Sequence, residues 1–180
     1  MRVLIAGIGN IFLGDDAFGV EVVRPLLTRA MPNRVDVVDY GIRGVHLAYD
    51  LLDGRYGTLV MVDALPMDEP PGTVAVLEVD LSHPQWTERD AEPGEDAPDG
   101  HGLDPQSCLR LVAQLGAPVG RVVVVGCQPE TVSDGMELSP SVRAAVEPTR
   151  DMVVRIAGEE AVRIGGPEEI GEPGEVRSRA

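Results

Sequence analysis

An apolar run that leads directly into a glycine-rich loop constrains the start of this chain more than any other feature. Residues 1–6 are almost entirely apolar, and their length and β-branched content predict a buried parallel strand. The loop that follows, at 7–19, reads Gly-Ile-Gly-Asn-Ile-Phe-Leu-Gly-Asp-Asp-Ala-Phe-Gly, and its glycines allow positive φ or a close backbone approach. A helix-compatible segment begins at Ala17. The pattern therefore predicts a strand, a loop and a helix start, with Asp15 and Asp16 at the carboxyl end of the strand.

Two other interpretations of this loop agree less well with its sequence. A dinucleotide-binding G-x-G-x-x-G motif would need glycine at position 12, which is Phe12. Capping of a helix N-terminus accounts for one acidic residue, but it does not account for two in succession. A carboxylate pair in a glycine-dense loop after a strand instead favours a bound cation or a reacting centre.

Alternating strands and helices continue along the chain. Strands are expected at 34–40, 58–63, 73–79 and 121–127, and helices at 20–30, 47–52, 105–115 and from 139 to about 156. Pro25 should kink or restart the first of these helices. This alternation predicts an α/β doubly wound domain, in which ligands bind beyond the carboxyl ends of the strands.

Length and local composition predict one domain with two irregular segments. At 180 residues the chain can form one full hydrophobic core, which we expect over 1–157. Residues 80–100 are acidic and rich in proline, so they are predicted to form a long mobile loop. Residues 158–180 combine glycine, proline and glutamate with few apolar residues, which is typical of a disordered tail.

The charge of the chain excludes several classes of partner and chemistry. There are 30 acidic residues against 15 basic ones, all of them arginine, for a net charge of −15, so a nucleic acid partner is not expected. Without lysine, the chain has no P-loop lysine and no lysine for a Schiff base. Cys108 and Cys127 lie within a helical and a strand pattern, and we interpret them as buried free thiols in a reducing compartment. No signal peptide or membrane-length apolar run is present, so the expected location is the cytoplasm, without membrane insertion.

Acidic residues recur where predicted strands end. Asp16, Asp39 and Asp63 fall at such ends, and the acidic loop leads to His101. Taken singly, each acid could cap a turn or helix, and the histidine could be solvated. Three independent caps would have no reason to share one edge of a sheet, so together these residues suggest a divalent metal.

In its glycine-rich first loop and its later acidic segments, the chain resembles the endopeptidases that mature NiFe-hydrogenases by trimming the C-terminal extension of the large subunit. The loop at 7–19 is similar to the signature of that family, Val62-Asp63-Ala64 to its second acidic segment, and His101-Gly102-Leu103 to its third. The resemblance extends through residues 126–130 and 138–140, so it covers roughly residues 1–156.

The resemblance implies a twisted, mostly parallel five-stranded sheet between helices and a metal triad formed by Asp16, Asp63 and His101. Some members have Glu where this chain has Asp16. Two oxygens and one nitrogen can hold nickel while leaving positions for substrate ligands and water. The nickel would be the ion already inserted in the large-subunit precursor, and other divalent metals could replace it in vitro. Asp16 and Asp63 are the implied catalytic residues, with Asp15 and Asp39 as weaker candidates. The water that cleaves the peptide would be activated by a carboxylate acting as general base or by the metal itself.

Two alternatives remain at the level of sequence. The chain could be a non-catalytic assembly factor or metallochaperone that binds the nickel protein without cutting it. A magnesium-dependent phosphotransfer domain is disfavoured because it would need a lysine near the phosphate. Neither cysteine nor any serine lies in a nucleophile motif, which disfavours a covalent acyl-enzyme.

Overall fold

The computed structural model describes residues 1–87 and 105–165, which contain five strands and five α-helices. The strands are β1 Arg2–Ile8, β2 Val35–Gly41, β3 Tyr56–Ala64, β4 Val74–Val79 and β5 Arg121–Cys127. The helices are α1 Phe18–Val23, α2 Gly44–Leu52, α3 Pro84–Thr87, α4 Pro105–Gln114 and α5 Pro140–Gly165, with 3₁₀ segments at Gly14–Ala17 and Arg24–Thr28. None of the helices in this part of the chain is both long enough and apolar enough to cross a membrane.

The strands form one sheet in the order β2-β1-β3-β5-β4. Neighbours from β2 to β5 are parallel, and β4 joins the edge antiparallel to β5. After β1 the chain adds β2 on one side and then β3 on the other, so the strand order reverses between β1 and β3. Such a reversal opens a crevice at the carboxyl ends of these two strands, where ligands of α/β proteins bind.

The sheet separates two apolar clusters, as the predicted α/β fold requires. Alternate residues of β1 point to opposite faces: Val3 and Ile5 pack with residues of α1 and α5, whereas Leu4 and Ala6 pack with residues of α2 and α4. β3 and β5 are divided in the same way. The predicted fold class is therefore confirmed, with a mostly parallel sheet between helices.

Glycines in the first loop allow α1 and the 3₁₀ turn before it to pack directly on strand backbone. A Cβ atom on Gly19 would overlap the carbonyl oxygens of Val62 and Ile8, and one on Gly9 would overlap the carbonyl oxygen of Asp16. Gly9 also has φ 133°, which favours glycine. The first helix therefore lies closer to the ends of β1 and β3 than any residue with a side chain would permit.

Most predicted elements are present, with ends that differ from the prediction by a few residues. The expected restart at Pro25 is confirmed, because α1 ends at Val23 and a 3₁₀ segment follows. The predicted tail from 158 is wrong over 158–165, where α5 continues to Gly165. Within the predicted loop at 80–100, α3 occupies Pro84–Thr87. Residues 88–100 of that loop and the segment 166–180 lie outside the described residues.

The last turns of α5 are fixed by packing and by one buried carboxylate. Ala157 and Ala161 are buried in the core at helical spacing. Glu160, only 8% exposed, accepts hydrogen bonds from the Thr58 hydroxyl at 3.3 Å and from Arg163 at 2.7 Å. The Arg121 guanidinium lies 3.3 Å from the other carboxylate oxygen. Small apolar residues and a satisfied acid thus keep the helix ordered where composition alone predicts disorder.

We expect Glu160→Ala to lower the free energy of unfolding by about 2–3 kcal/mol, since it leaves the buried Thr58 hydroxyl without its acceptor and removes the ion-pair partner of Arg121 and Arg163. The neighbouring Glu159→Ala is the matched control. Among residues 1–87 and 105–165, Glu159 pairs only with Arg155, on the surface, and such a pair contributes about 0–1 kcal/mol. Urea denaturation of both variants measures the difference, and equal losses would contradict the role assigned to Glu160.

Alanine substitution at two helical glycines, Gly19 and Gly158, should change the stability of the protein in opposite directions. At Gly19 the new methyl group collides with backbone oxygens, so we expect a loss of about 1–3 kcal/mol. At Gly158 the nearest atom would be Pro32 Cγ at 3.8 Å, an ordinary contact, so alanine should gain about 0.5–1 kcal/mol from helix propensity. Thermal unfolding of both variants checks this, and a stable Gly19→Ala protein would refute the close packing.

Candidate active site

A cavity of about 420 Å³ lies at the carboxyl edge of the sheet, at the reversal between β1 and β3. The loop after β1, the ends of β2 and β3, the loop after β5 and the first residue of α4 all contribute to it. Its lining consists of Ile8, Gly9, Asn10, Leu13, Asp16, Gly41, Ile42, Asp63, Ala64, Pro66, Pro105, Pro129 and Val132. Most of these residues are apolar, so the few polar side chains determine what chemistry the cavity supports.

Asp16 and Asp63 both line this cavity. Asp63 lies near the end of β3, is 2% exposed, and accepts the Ala64 N–H at 2.7 Å through Oδ1. Asp16 lies in the 3₁₀ turn and accepts the Asn10 N–H at 2.8 Å. Burial raises the pKa of Asp16, and the bond from Asn10 offsets only part of that effect. The fold thus holds two carboxylates at one cavity, one of them partly desolvated.

The carboxylate pair has no basic side chain beside it among the described residues that line the cavity. Two carboxylates in an apolar cavity repel each other when both are ionised. They therefore favour binding of a cation or sharing of one proton. Within residues 1–87 and 105–165, no group of three His, Cys, Asp or Glu side chains is arranged to hold a metal ion. His101, the third ligand that the sequence predicts, lies outside these ranges, so the triad stays a prediction.

Asp15 has a different environment from its neighbour Asp16. It is fully buried, and its carboxylate accepts three backbone N–H groups, from Glu130 at 2.8 Å, Thr131 at 3.1 Å and Ser139 at 2.6 Å. Desolvation raises the pKa of Asp15, but the hydrogen bonds together outweigh it and hold the pKa below its ordinary value. Asp15 therefore fastens the loop between β5 and α5 to the loop after β1, and it is not among the residues that line the cavity.

Asp39, the other weaker candidate, lies in β2 beside Gly7. Its backbone carbonyl accepts the Arg43 guanidinium at 2.7 Å, and its side chain does not contribute to the cavity lining. Neither Asp15 nor Asp16 caps the helix that follows them, because both carboxylates accept hydrogen bonds from backbone N–H groups elsewhere in the chain.

Both cysteines are free and buried, as predicted. Burial, with a smaller contribution from the charge of Asp15, raises the pKa of Cys127 to about 11. The Cys127 thiol is therefore protonated at neutral pH and is not an activated nucleophile.

Asn10 is a cavity residue that sequence reasoning did not single out. Its side-chain oxygen accepts the Phe12 N–H at 3.0 Å, and its backbone N–H donates to Asp16. The available signal was its position, since it follows Gly9 directly at the end of β1 and precedes the acidic pair.

Fold and site together define an α/β protein with an acid-lined cavity at the crevice between its central strands, suited to binding a cation or activating water. A family model described as hydrogenase maturation protease matches residues 20–156. The chain belongs to this family of proteases.

Individual relatives agree with this assignment. The hydrogenase 2 maturation protease of Escherichia coli K12 is 31% identical over 168 residues, which cover 90% of this chain and 96% of that protein. A putative hydrogenase maturation protease of Methanocaldococcus jannaschii is 40% identical over 78 residues, 43% of this chain, and the match spans about half of that protein, 51%. Among solved structures, the hydrogenase maturating endopeptidase HybD from E. coli has a TM-score of 0.67 at 28% identity, covering 89% of this chain and 94% of that one.

The adjacent acids should differ in what they contribute to stability. Asp15→Asn replaces an acceptor of three N–H groups by an amide that presents its own donors to them, so we expect a loss of about 2–4 kcal/mol. Asp16→Asn removes a partly desolvated charge and should leave stability unchanged or slightly higher. Urea denaturation at neutral pH tests the pair, and a larger loss for Asp16→Asn would reverse the assignment.

The pH dependence of this comparison has a defined sign. Because the pKa of Asp15 is lowered on folding, its stabilisation is present above the unfolded value of about 3.9 and is lost as pH falls through the folded pKa. The wild type should therefore lose its advantage over Asp15→Asn below about pH 4. For Asp16 the raised pKa means that ionisation costs stability above about pH 3.9, so any gain in Asp16→Asn should vanish in acid.

Proposed function

We propose that this protein removes the C-terminal extension of a NiFe-hydrogenase large-subunit precursor after nickel has been inserted. The observation that carries the proposal is the convergence of Asp16 and Asp63 on one cavity at the carboxyl ends of the strands. Membership in the hydrogenase maturation proteases supplies the reaction class. We further propose that the step occurs in the cytoplasm, since two free buried cysteines suit a reducing compartment.

In this proposal, nickel reaches the site as part of the substrate. Asp16 and Asp63 provide oxygen ligands, and His101 provides a nitrogen. This donor set is too small to saturate nickel, so the ion keeps ligands from the precursor and brings the scissile peptide to the cavity. The burial of Asp16 supports this role, because a partly desolvated carboxylate gains more from a nearby cation than a solvated one does.

Peptide hydrolysis then requires activated water. A carboxylate acting as general base can accept the proton of this water, or the substrate metal can activate the water directly. Water adds to the peptide carbonyl carbon while the base accepts its proton. The carbon–nitrogen bond then breaks, and the departing nitrogen takes up a proton.

The mass of the precursor before and after incubation with the protein tests this function. We expect nickel-loaded precursor to lose its C-terminal extension and nickel-free precursor to stay intact. Asp16→Asn, Asp63→Asn and His101→Ala should each reduce the cleavage rate at least about 100-fold, since each removes a ligand to the substrate nickel. Melting temperatures of the same variants should stay near the wild-type value.

Three outcomes would contradict the proposal. Efficient cutting of nickel-free precursor would leave a protease that does not sense the metal. Variants that are destabilised yet still cut would mean that the three residues are structural. Tight binding of loaded precursor with no change in its mass would instead support the non-catalytic assembly factor.

A further inference from the structure

Negative charge develops next to the acid pair during peptide hydrolysis. When water attacks the carbonyl carbon, a carbon–oxygen bond forms and the π electrons of the carbonyl move onto its oxygen. In this cavity that oxyanion would form near Asp16 and Asp63, which would repel it. Nickel held by these carboxylates would compensate part of this repulsion, and a hydrogen-bond donor near the developing charge would stabilise it further; such donors commonly change kcat 10²- to 10³-fold.

Few backbone groups of the cavity are free to serve as that donor. The N–H groups of Gly9, Leu13 and Ala64 donate to Gly41 O, Asn10 O and Asp63 Oδ1 respectively. The N–H of Asn10 donates to Asp16. Three further lining residues, Pro66, Pro105 and Pro129, have no N–H. Most of the backbone around the acid pair thus presents no donor to a substrate.

The Asn10 side chain adds a donor to those that the backbone leaves at the cavity. Of the described residues that line the cavity, only Asn10 has a side-chain donor. Its Oδ1 accepts the Phe12 N–H at 3.0 Å, and this bond fixes the orientation of the amide, because the reverse orientation would place two donors against each other. The NH₂ group has no hydrogen-bond partner within residues 1–87 and 105–165, so two donors stay available at the cavity.

We propose that Asn10 is a catalytic residue whose side-chain NH₂ donates to the oxyanion of the tetrahedral intermediate. This inference rests on the proposed endopeptidase function. The Phe12 N–H holds the amide in place before substrate arrives, so little reorganisation is needed during the reaction. As the intermediate collapses, the electron pair returns to form the carbonyl, the carbon–nitrogen bond breaks, and Asn10 keeps both of its protons.

Two substitutions separate the donor from the turn that the same side chain forms. Asn10→Asp keeps an acceptor for the Phe12 N–H and the shape of the side chain, but it removes the NH₂ group. Asn10→Ser keeps a neutral acceptor near the same N–H, and its hydroxyl is too short to replace the amide. Asn33→Asp makes the same change at an exposed site before β2 and controls for an added charge away from the cavity, whereas Asn10→Ser removes the amide without adding charge beside Asp16.

The experiment measures kcat and KM for nickel-loaded large-subunit precursor, with melting temperatures for all variants. We expect Asn10→Asp and Asn10→Ser to lower kcat 10²- to 10³-fold while KM and melting temperature change little, and Asn33→Asp to match the wild type. Wild-type kcat in either Asn10 variant, or a loss confined to KM, would overturn the role of Asn10 as oxyanion donor. Failure of the wild type to cut would instead reject the proposed function.

Discussion

Direct contact between backbone segments, which is possible because the residues at the contact are glycines, determines where the site forms. Gly9 and Gly19 allow the 3₁₀ turn and α1 to rest on the ends of β1 and β3. The carbonyl of Val62 lies under Gly19, and Asp63 is the next residue along β3. The distance between the turn that carries Asp16 and the strand that carries Asp63 is therefore set by main-chain contact. Such a contact cannot relax through a change of rotamer, which makes the separation of the two acids a property of the fold.

Adjacent residues of the first loop perform opposite tasks. Asp15 is buried against three N–H groups and ties together segments more than 100 residues apart in sequence. Asp16 turns toward the cavity, has one N–H partner, and is destabilised by burial. Functional groups held in unfavourable environments need stabilisation nearby, and here it comes from the preceding residue. Asp15 is thus a structural anchor, and Asp16 is the partly buried acid that faces the cavity.

The sequence predicted the strands well because continuous apolar runs are typical of buried parallel strands. It also predicted that Asp16, Asp39 and Asp63 would share one edge, since parallel topology brings strand ends together, and two of the three, Asp16 and Asp63, line the cavity. The residue pattern alone did not distinguish Asp15 from Asp16, and only the family resemblance favoured Asp16, because the difference depends on a loop far along the chain that no local pattern reveals. The end of α5 was missed for a related reason. Composition treats Glu160 as a polar residue of a tail, whereas its partners Thr58 and Arg121 come from β3 and β5.

For the proposed endopeptidase, the size of the cavity bears on how one hydrogenase precursor would be distinguished from another. About 420 Å³ is at the lower end of ligand cavities in proteins, so it admits a short peptide segment and not a folded domain. Most of the cavity wall is apolar, with Ile42 and Val132 partly exposed at it. A cavity of this kind can read only the residues on either side of the scissile bond. If the proposed function holds, discrimination between large subunits that share the same sequence at the cut would therefore come from the protein surface outside the cavity.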